Sequence, residues 1–254
     1  MEDLYKILGV KQDATLAEIR RAYRNKVKEL HPDKSGTHKT SAEFAKVVQA
    51  YRVLSDAKSR EVFDSSYNVN PIFKKANDSS FDYRQWLLNR NDQESRAKLI
   101  IFDLMHDRED DAVAEFKRMN TEHADFSLKR WFTRENFMDY GFILSEELVW
   151  RGVYYDAFLL LEQIILMERS YNYFRLFFPE VIAFTKNILR TKLDGVINDE
   201  LALDAWERAL DLEFGPRDDA FFLQKMAQAY KRIGDDATSL ICMEESRKIL
   251  QNVK

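Results

Sequence analysis

The sequence predicts an all-α protein in which an N-terminal helical hairpin is followed by an α-solenoid of stacked helix pairs. Two observations support this fold class. Glycine and proline are scarce, with seven and four among 254 residues, which favours helices with short connections over a sandwich or barrel. Apolar residues also recur at helical spacing along most of the chain. The length suffices for one large or two ordinary domains.

The first helices of the chain have clear start and stop signals. DLYKIL (3–8) is a short amphipathic turn that Gly9 ends. Thr15 and Glu18 have the spacing of a capping box that opens the next helix. Apolar residues at helical spacing should face a partner helix, namely Ile19, Tyr23, Val27 and Leu30. Basic residues repeat at i, i+4 and i+8 to form a basic stripe, namely Arg20, Arg24 and Lys28, with Arg21 beside them.

The basic helix should end at His31, because the residue before a proline is pushed out of the helical conformation. A second capping box begins at Thr40, so residues 31–40 form the loop between two antiparallel helices. Pro32 stiffens the entrance to this loop and holds the Asp33 carboxylate beside the basic stripe. A carboxylate so placed suits a bidentate bond to an arginine of another protein, and the stripe suits an acidic groove there.

These segments together resemble the J-domain of DnaJ-type co-chaperones. YKILGV, the basic helix ending in HPDK, EFAKVVQAYRVLSD and SREVFD follow one another in the family's order. The resemblance implies docking on a DnaK-type ATPase chaperone and stimulation of its ATP hydrolysis, which traps a client. It also implies the chaperone-binding residues, which are His31, Pro32, Asp33, Arg20, Arg24, Lys28, Tyr23 and Phe44.

Two positions depart from the family's pattern, which commonly has basic residues where this chain has Asn25 and Ala45. Each lost exposed charge pair is worth only about 0.2–1 kcal/mol, so docking is expected to be weaker or tuned to one partner. Alternatives stay open for single residues. Tyr23 and Phe44 lie at apolar periodic positions, which favour a role in the core over a docking contact. Asp33 suits a local loop cap, and the basic stripe suits a merely solvated face.

We expect the J-domain to span residues 1–66, a linker 67–84 and a helical body 85–254. The linker is polar and irregular, with Pro71 and an NDSS run that mark a boundary. It contains no glycine, so the Gly/Phe-rich segment of the best-known DnaJ-type proteins is absent. The chain therefore resembles the divergent class that attaches a J-domain to an unrelated body.

The body has a weak internal repeat. Four segments share a register of small and large residues, namely Ala112, Phe116, Met119; Ala157, Leu161, Ile164; Ala202, Trp206, Ala209; and, loosely, Ser239, Met243, Ser246. This resembles the tetratricopeptide pattern, in which a small residue lets two helices approach closely. Stacking would cover the apolar face that each helix pair leaves. The copies lie 45, 45 and 37 residues apart, more than that family's roughly 34, and an irregular helical bundle is the alternative.

Composition and motifs exclude several function classes. The single cysteine, Cys242, rules out a disulfide framework or a Cys-based zinc site within the chain and is expected in the core. Without a phosphate-binding glycine loop, a zinc-protease motif, a nucleophile elbow or converging acid and base residues, we expect no enzyme, cofactor or metal. Acid-rich stretches argue against nucleic acid. The most apolar run, 153–167, is too short and interrupted to span a membrane.

Charge is unevenly distributed along the chain. Residues 1–70 carry thirteen Lys/Arg against ten Asp/Glu, or +3, which leaves −7 for the remainder. A basic head suggests an acidic partner. The preferred hypothesis is a cytoplasmic co-chaperone, since no signal peptide follows Met1, with a DnaK-type partner for the J-domain and an unknown client for the body. The alternative is an assembly scaffold in which the J-domain is structural.

Overall fold

The computed structural model describes residues 3–29, 46–47, 49–51, 53–55, 60, 63–64 and 83–252. Helices are the regular elements of this part of the chain, which contains no strand, so the predicted all-α class is confirmed. The chain divides into two compact units, Met1–Ile143 and Leu144–Lys254. The division into residues 1–66, 67–84 and 85–254 stays a prediction, although one helix already begins at Tyr83.

Helices of the first unit, within the described ranges, are α1 (Leu4–Leu8), α2 (Leu16–Glu29), α3 (Tyr83–Leu88), α4 (Gln93–Leu104) and α5 (Glu109–Glu122). The described residues between 46 and 55, with 60, 63 and 64, are helical as well. A short 3-10 helix, Leu128–Arg130, precedes α6 (Arg134–Trp150), which begins in the first unit and ends in the second. Helix α4 packs against both α3 and α5.

Local sequence signals fix both ends of α1 and the start of α2. The Asp3 carboxylate accepts a hydrogen bond of 3.0 Å from the Lys6 backbone N–H. Gly9 ends α1 with a φ of +75°, a left-handed conformation that glycine adopts without steric cost. The Thr15 N–H donates to the Glu18 carboxylate at 2.9 Å, and the Glu18 N–H donates to the Thr15 hydroxyl oxygen at 3.2 Å. This reciprocal pair is a capping box, as predicted.

An apolar core lies between α1, α2 and the described helical residues between 46 and 64. Its buried members come from all three segments and include Tyr5, Leu8, Ile19, Val47, Ala50, Leu54 and Phe63. The prediction that Ile19 faces a partner helix is confirmed. Because successive helical residues are about 100° apart, positions 21 and 24 lie on the opposite side of α2 from Ile19. The basic residues at those positions therefore point away from this core.

Five α-helices lie wholly in the second unit, which the structure describes up to residue 252, namely α7 (Tyr154–Tyr171), α8 (Phe178–Thr191), α9 (Asp199–Leu210), α10 (Pro216–Arg232) and α11 (Asp236–Asn252). Each packs against the next, and α7 also packs against α9. Gly152 and Gly234, which precede α7 and α11, have φ values of +76° and +87°, a left-handed conformation that glycine adopts without steric cost. A stack of tetratricopeptide-like pairs is compatible with these contacts and stays a prediction.

Burial agrees with the predicted register in three of its four copies. All nine residues of the copies that begin at Ala112, Ala157 and Ala202 are buried. In the fourth copy Ser239 and Ser246 are buried, but Met243 is exposed and Cys242 is buried in its place. The Met243 position in the register is therefore wrong, whereas the core placement of Cys242 is confirmed.

The contact between α11 and α10 explains why Cys242 is buried and Met243 is exposed. The Ser239 hydroxyl donates to the Ala227 carbonyl oxygen at 2.7 Å, and the Ser246 hydroxyl donates to the Ala220 carbonyl oxygen at 2.9 Å. These two bonds fix the rotation of α11. Cys242 lies between the serines at spacings of three and four residues, so it is nearest the centre of the contacting face.

Candidate functional site

Helix α2 carries the predicted docking residues that the structure describes. Arg20, Tyr23 and Arg24 lie on it, and the backbone of Lys28 forms part of its last turn. The Lys28 side chain lies outside the described part of the structure. So do the other predicted site residues, which are His31, Pro32, Asp33 and Phe44. The site can therefore be built from the helix that leads into the tripeptide, and the roles of the tripeptide itself stay predictions.

Tyr23 is a packing residue of the hairpin. Its ring stacks on that of Tyr51, with the ring centroids 4.1 Å apart and the planes inclined by 10°. The side chain is half-buried against the apolar core. This geometry agrees with the alternative that Tyr23 belongs to the core, and it leaves one edge of the residue at the surface.

Arg24 is buried against α6 rather than displayed to solvent. Only 1% of the residue is exposed. Its Nε lies 3.5 Å from the Asp139 Oδ1, and its Nη2 donates to the Asp139 backbone oxygen at 3.4 Å. The guanidinium also lies 5.8 Å from the centre of the Phe142 ring. A basic stripe that the sequence suggests is solvent-facing thus has its middle residue in the interior of the first unit.

A second basic residue of α2 makes a parallel contact with α6. The Arg21 guanidinium lies 5.8 Å from the centre of the Tyr140 ring, within the range of a cation–π interaction. Arg20 is half-buried, whereas Asn25 is exposed. The side of α2 opposite its core is therefore covered by the first half of α6 at Arg21 and Arg24.

Sequence reasoning did not identify Asp139 and Tyr140 as partners of α2. A signal is nevertheless present, because Asp139 stands alone among apolar residues in the segment FMDYGFIL (137–144). A carboxylate on the buried face of a helix requires a counter-charge or hydrogen-bond donors. The pattern indicates that a cation approaches this point of α6, without indicating which one.

Other side chains that could be reactive have structural roles. Arg84 forms an ion pair of 2.6 Å with the buried Asp103 and one of 2.9 Å with Asp111. The His106 ring stacks on Phe102 with the centroids 4.0 Å apart. Burial raises the pKa of the Cys242 thiol above its usual value, which makes the thiolate scarce near neutral pH.

The described residues contain neither a cluster of potential metal ligands nor a membrane-spanning helix. Among residues 3–29, the described positions of 46–64, and 83–252, His, Cys, Asp and Glu side chains do not form a group of three or more suited to a metal ion. No helix in the same ranges combines the length and apolarity needed to cross a membrane.

Comparison with known proteins identifies the N-terminal region. Residues 3–64 match the family model described as DnaJ domain. The chain is similar to Chaperone protein DnaJ of Tropheryma whipplei, with 42% identity over 94 residues that cover 34% of this chain and 26% of that protein. It is also similar to DnaJ homolog subfamily B member 3 of Mus musculus, with 46% identity over 74 residues that cover 28% of this chain and 31% of that protein.

The chain is also similar to a third relative. It is a DnaJ homolog subfamily C member 7 homolog of Schizosaccharomyces pombe, with 46% identity over 71 residues that cover 28% of this chain and 15% of that protein. The chain thus spans less than a third of the length of each of these relatives. No solved structure matches the chain. The matched range agrees with the helical hairpin built above, and residues 3–64 are accordingly a J-domain of the DnaJ family.

Proposed function

We propose that this chain is a co-chaperone whose J-domain docks on a DnaK-type ATPase chaperone and stimulates ATP hydrolysis there. The observation that carries the proposal is the DnaJ-domain match over residues 3–64, which includes the tripeptide His31-Pro32-Asp33 directly after the basic helix. The chemistry takes place on the partner. The J-domain acts by binding one state of the ATPase more tightly than the other, which is how a binding partner shifts a conformational equilibrium.

The chemistry of the residue types supports the proposed roles of the docking residues. Arg20, Arg24 and Lys28 repeat along α2 as a basic series that suits an acidic groove, and Arg24 is paired with Asp139 in this structure. Asp33 offers a carboxylate to a bidentate arginine, which is a strong and directional interaction. Pro32 limits the backbone freedom that docking must remove, because its ring fixes φ. We place this partnership in the cytoplasm.

We further propose that the helical body binds a client or partner protein and so decides where the ATPase is stimulated. Exposed apolar side chains support a protein-binding role. Leu240 and Ile241 on α11 are 65% and 59% exposed, and Trp150 at the end of α6 is 84% exposed. Large apolar groups in contact with water are available for burial by another protein.

The test is the steady-state ATP turnover of a cognate DnaK-type chaperone with increasing amounts of the full chain. We expect stimulation by the wild type and a loss of roughly tenfold or more with Asp33→Asn, since removing one partner of a desolvated charge pair costs about 2–5 kcal/mol. Asp13→Asn is the matched control, because Asp13 is exposed and lies before α2. Adding a denatured protein should raise turnover further if the body delivers clients.

Equal stimulation by Asp33→Asn and the wild type would overturn the proposed mechanism. If neither the wild type nor any variant raised ATP turnover above that of the chaperone alone, and a stable complex were recovered through the body, the assembly scaffold would be favoured instead.

A further inference from the structure

We propose that α6 holds the J-domain in a closed state, in which Asp139 and Tyr140 of α6 contact Arg24 and Arg21 of α2. The DnaK-type chaperone docks only after this contact opens. The inference rests on the proposed function, because it concerns the regulation of the same docking face.

The contact sequesters the charge that docking requires. Arg24 is 1% exposed and Asp139 is 2% exposed, so a carboxylate of another protein cannot reach this guanidinium while α6 stays in place. The Asp139 residue supplies both a carboxylate, at 3.5 Å from Nε, and a backbone oxygen, at 3.4 Å from Nη2. These are the kinds of group that an acidic groove on the chaperone would offer to the same arginine.

The contact is also sterically exclusive. A helix with its side chains is about 10–12 Å across, so α6 covers more of α2 than the single arginine that it pairs with. Arg21 lies beside the covered point, with its guanidinium 5.8 Å from the Tyr140 ring. An external helix or groove cannot occupy this side of α2 at the same time.

The chemistry of the contact allows it to open at a modest cost. Moving two charges out of water largely offsets their attraction, so a buried ion pair adds little net stability. On opening, the guanidinium and the carboxylate both regain water. The apolar core of the hairpin is not disturbed, because Ile19 and the other core residues of α2 lie on its opposite side.

The closed state makes a quantitative prediction. If docking requires the open state, the observed dissociation constant equals the intrinsic one divided by the open fraction. Asp139→Asn removes the negative charge that faces the buried Arg24 guanidinium, which favours opening. We expect the concentration of co-chaperone that gives half-maximal ATPase stimulation to fall by about tenfold, with the maximal turnover unchanged.

A matched control and a second variant separate this effect from misfolding. Asp211→Asn makes the same change of charge at an exposed carboxylate in the second unit and should behave as the wild type. Tyr140→Leu keeps an apolar side chain on α6 while removing the ring that Arg21 contacts, and should lower the half-maximal concentration by a smaller factor, about twofold to threefold.

A chemical probe reports on the contact without the chaperone. Phenylglyoxal modifies exposed arginines, and peptide mass spectrometry can follow Arg24 beside Arg217, an exposed residue of α10. In the wild type Arg24 should react at least tenfold more slowly than Arg217, and Asp139→Asn should remove most of this protection. Asp211→Asn should leave both rates unchanged.

The outcomes distinguish the two proposals. If Arg24 reacts as fast as Arg217 in the wild type, or if Asp139→Asn stimulates at the wild-type concentration while Asp33→Asn is inactive, the closed state is wrong and the co-chaperone function stands. If no variant stimulates the ATPase even when Arg24 has become reactive, the proposed function is wrong, and its regulation falls with it.

Discussion

The two compact units treat buried charge differently. In the first unit, Arg24 and Asp139 form an ion pair although 115 residues separate them. In the second unit, the buried Glu147 carboxylate pairs with Arg151 only four residues further on. The buried Glu168 carboxylate accepts three hydrogen bonds of 2.7 Å from the backbone N–H groups of the residues five to seven positions later. The buried ion pair of the first unit therefore joins two helices that are distant in sequence. The buried carboxylates of the second unit make contacts near the end of their own helix.

Buried contacts between helices of the second unit rely on packing instead, and ion pairs such as that of Arg232 with Asp199 are partly exposed. Small residues face one another where α10 meets α11, and the Ser239 and Ser246 hydroxyls bond to backbone oxygens of α10. The large Trp206 is fully buried. An ion pair can be exchanged for another charged partner, whereas a close-packed apolar contact has no substitute in water. The difference indicates that the α2–α6 contact suits a reversible interaction, whereas the contacts among the helices α7 to α11 suit a permanent one.

The largest expected effect is on the packed side of this comparison. Trp206→Ala should lower the free energy of unfolding by about 3–5 kcal/mol, because it leaves a cavity in the core of the second unit. It also removes the indole N–H that donates to the Leu189 carbonyl oxygen at 2.9 Å. Urea unfolding followed by far-UV circular dichroism measures the loss.

Trp150→Ala is the control for this experiment. The same change of residue at a side chain that is mostly exposed should alter the free energy of unfolding by no more than about 0.5 kcal/mol. Equal losses at Trp206 and Trp150 would contradict the view that shape complementarity holds these helices together.

Local features of both units could be predicted from the sequence, because their causes lie within a few residues. The Thr15–Glu18 capping box needs only neighbouring residues, and Ile19 follows from helical spacing. The core placement of Cys242 depends on little more than its size and apolarity. Even the nine buried residues of the three regular copies follow from periodicity, since each helix presents one face to its neighbours.

The partner of Arg24 could not be predicted in the same way. Its burial depends on where α6 lies, and α6 begins 110 residues later at Arg134. Helical spacing places Arg24 in a stripe that looks the same whether it faces water or a carboxylate. For Met243 the error is smaller but of the same kind, because two serine–carbonyl bonds to another helix set the rotation of α11.

An intermediate effect is expected when the exchangeable contact is replaced by an apolar one. Arg24→Met alone leaves the Asp139 carboxylate without its guanidinium and should cost about 1–2 kcal/mol, less than the usual cost of breaking a buried pair because opening returns Asp139 to water. Combining it with Asp139→Leu should restore the free energy of unfolding to within about 1 kcal/mol of the wild type. Urea unfolding of the four proteins gives the coupling energy.

The double variant also tests whether the α2–α6 contact must open before the J-domain can act. Its α2–α6 contact should resist opening, so it should stimulate the ATPase poorly even at high concentration, although Arg24→Met alone also removes a proposed docking charge. If the double variant lost as much stability as the two single variants together, Arg24 and Asp139 would not interact in solution. That result would contradict the contrast between the two units.

The smallest effect is expected from surface charge in the second unit. Arg232 lies 3.0 Å from Asp194 and 2.5 Å from Asp199, and all three side chains are partly exposed. Hydrogen bonds and charge from Arg232 lower the pKa of Asp199, and Lys225 followed by Arg232 lowers that of Asp194. Arg232→Gln should therefore cost only about 0.2–1 kcal/mol at neutral pH.

The pH dependence distinguishes this pairing from a general loss of packing. A carboxyl whose pKa is lower in the folded chain binds fewer protons there than in the unfolded chain, so its stabilisation is present above its usual pKa of 3.8 and is lost as the pH falls below that value. Unfolding free energies measured at pH 7 and pH 3 should converge between the wild type and Arg232→Gln at the acid end. A gap that stays constant with pH would assign the effect of Arg232 to its aliphatic packing and would contradict a stabilising role of its charge.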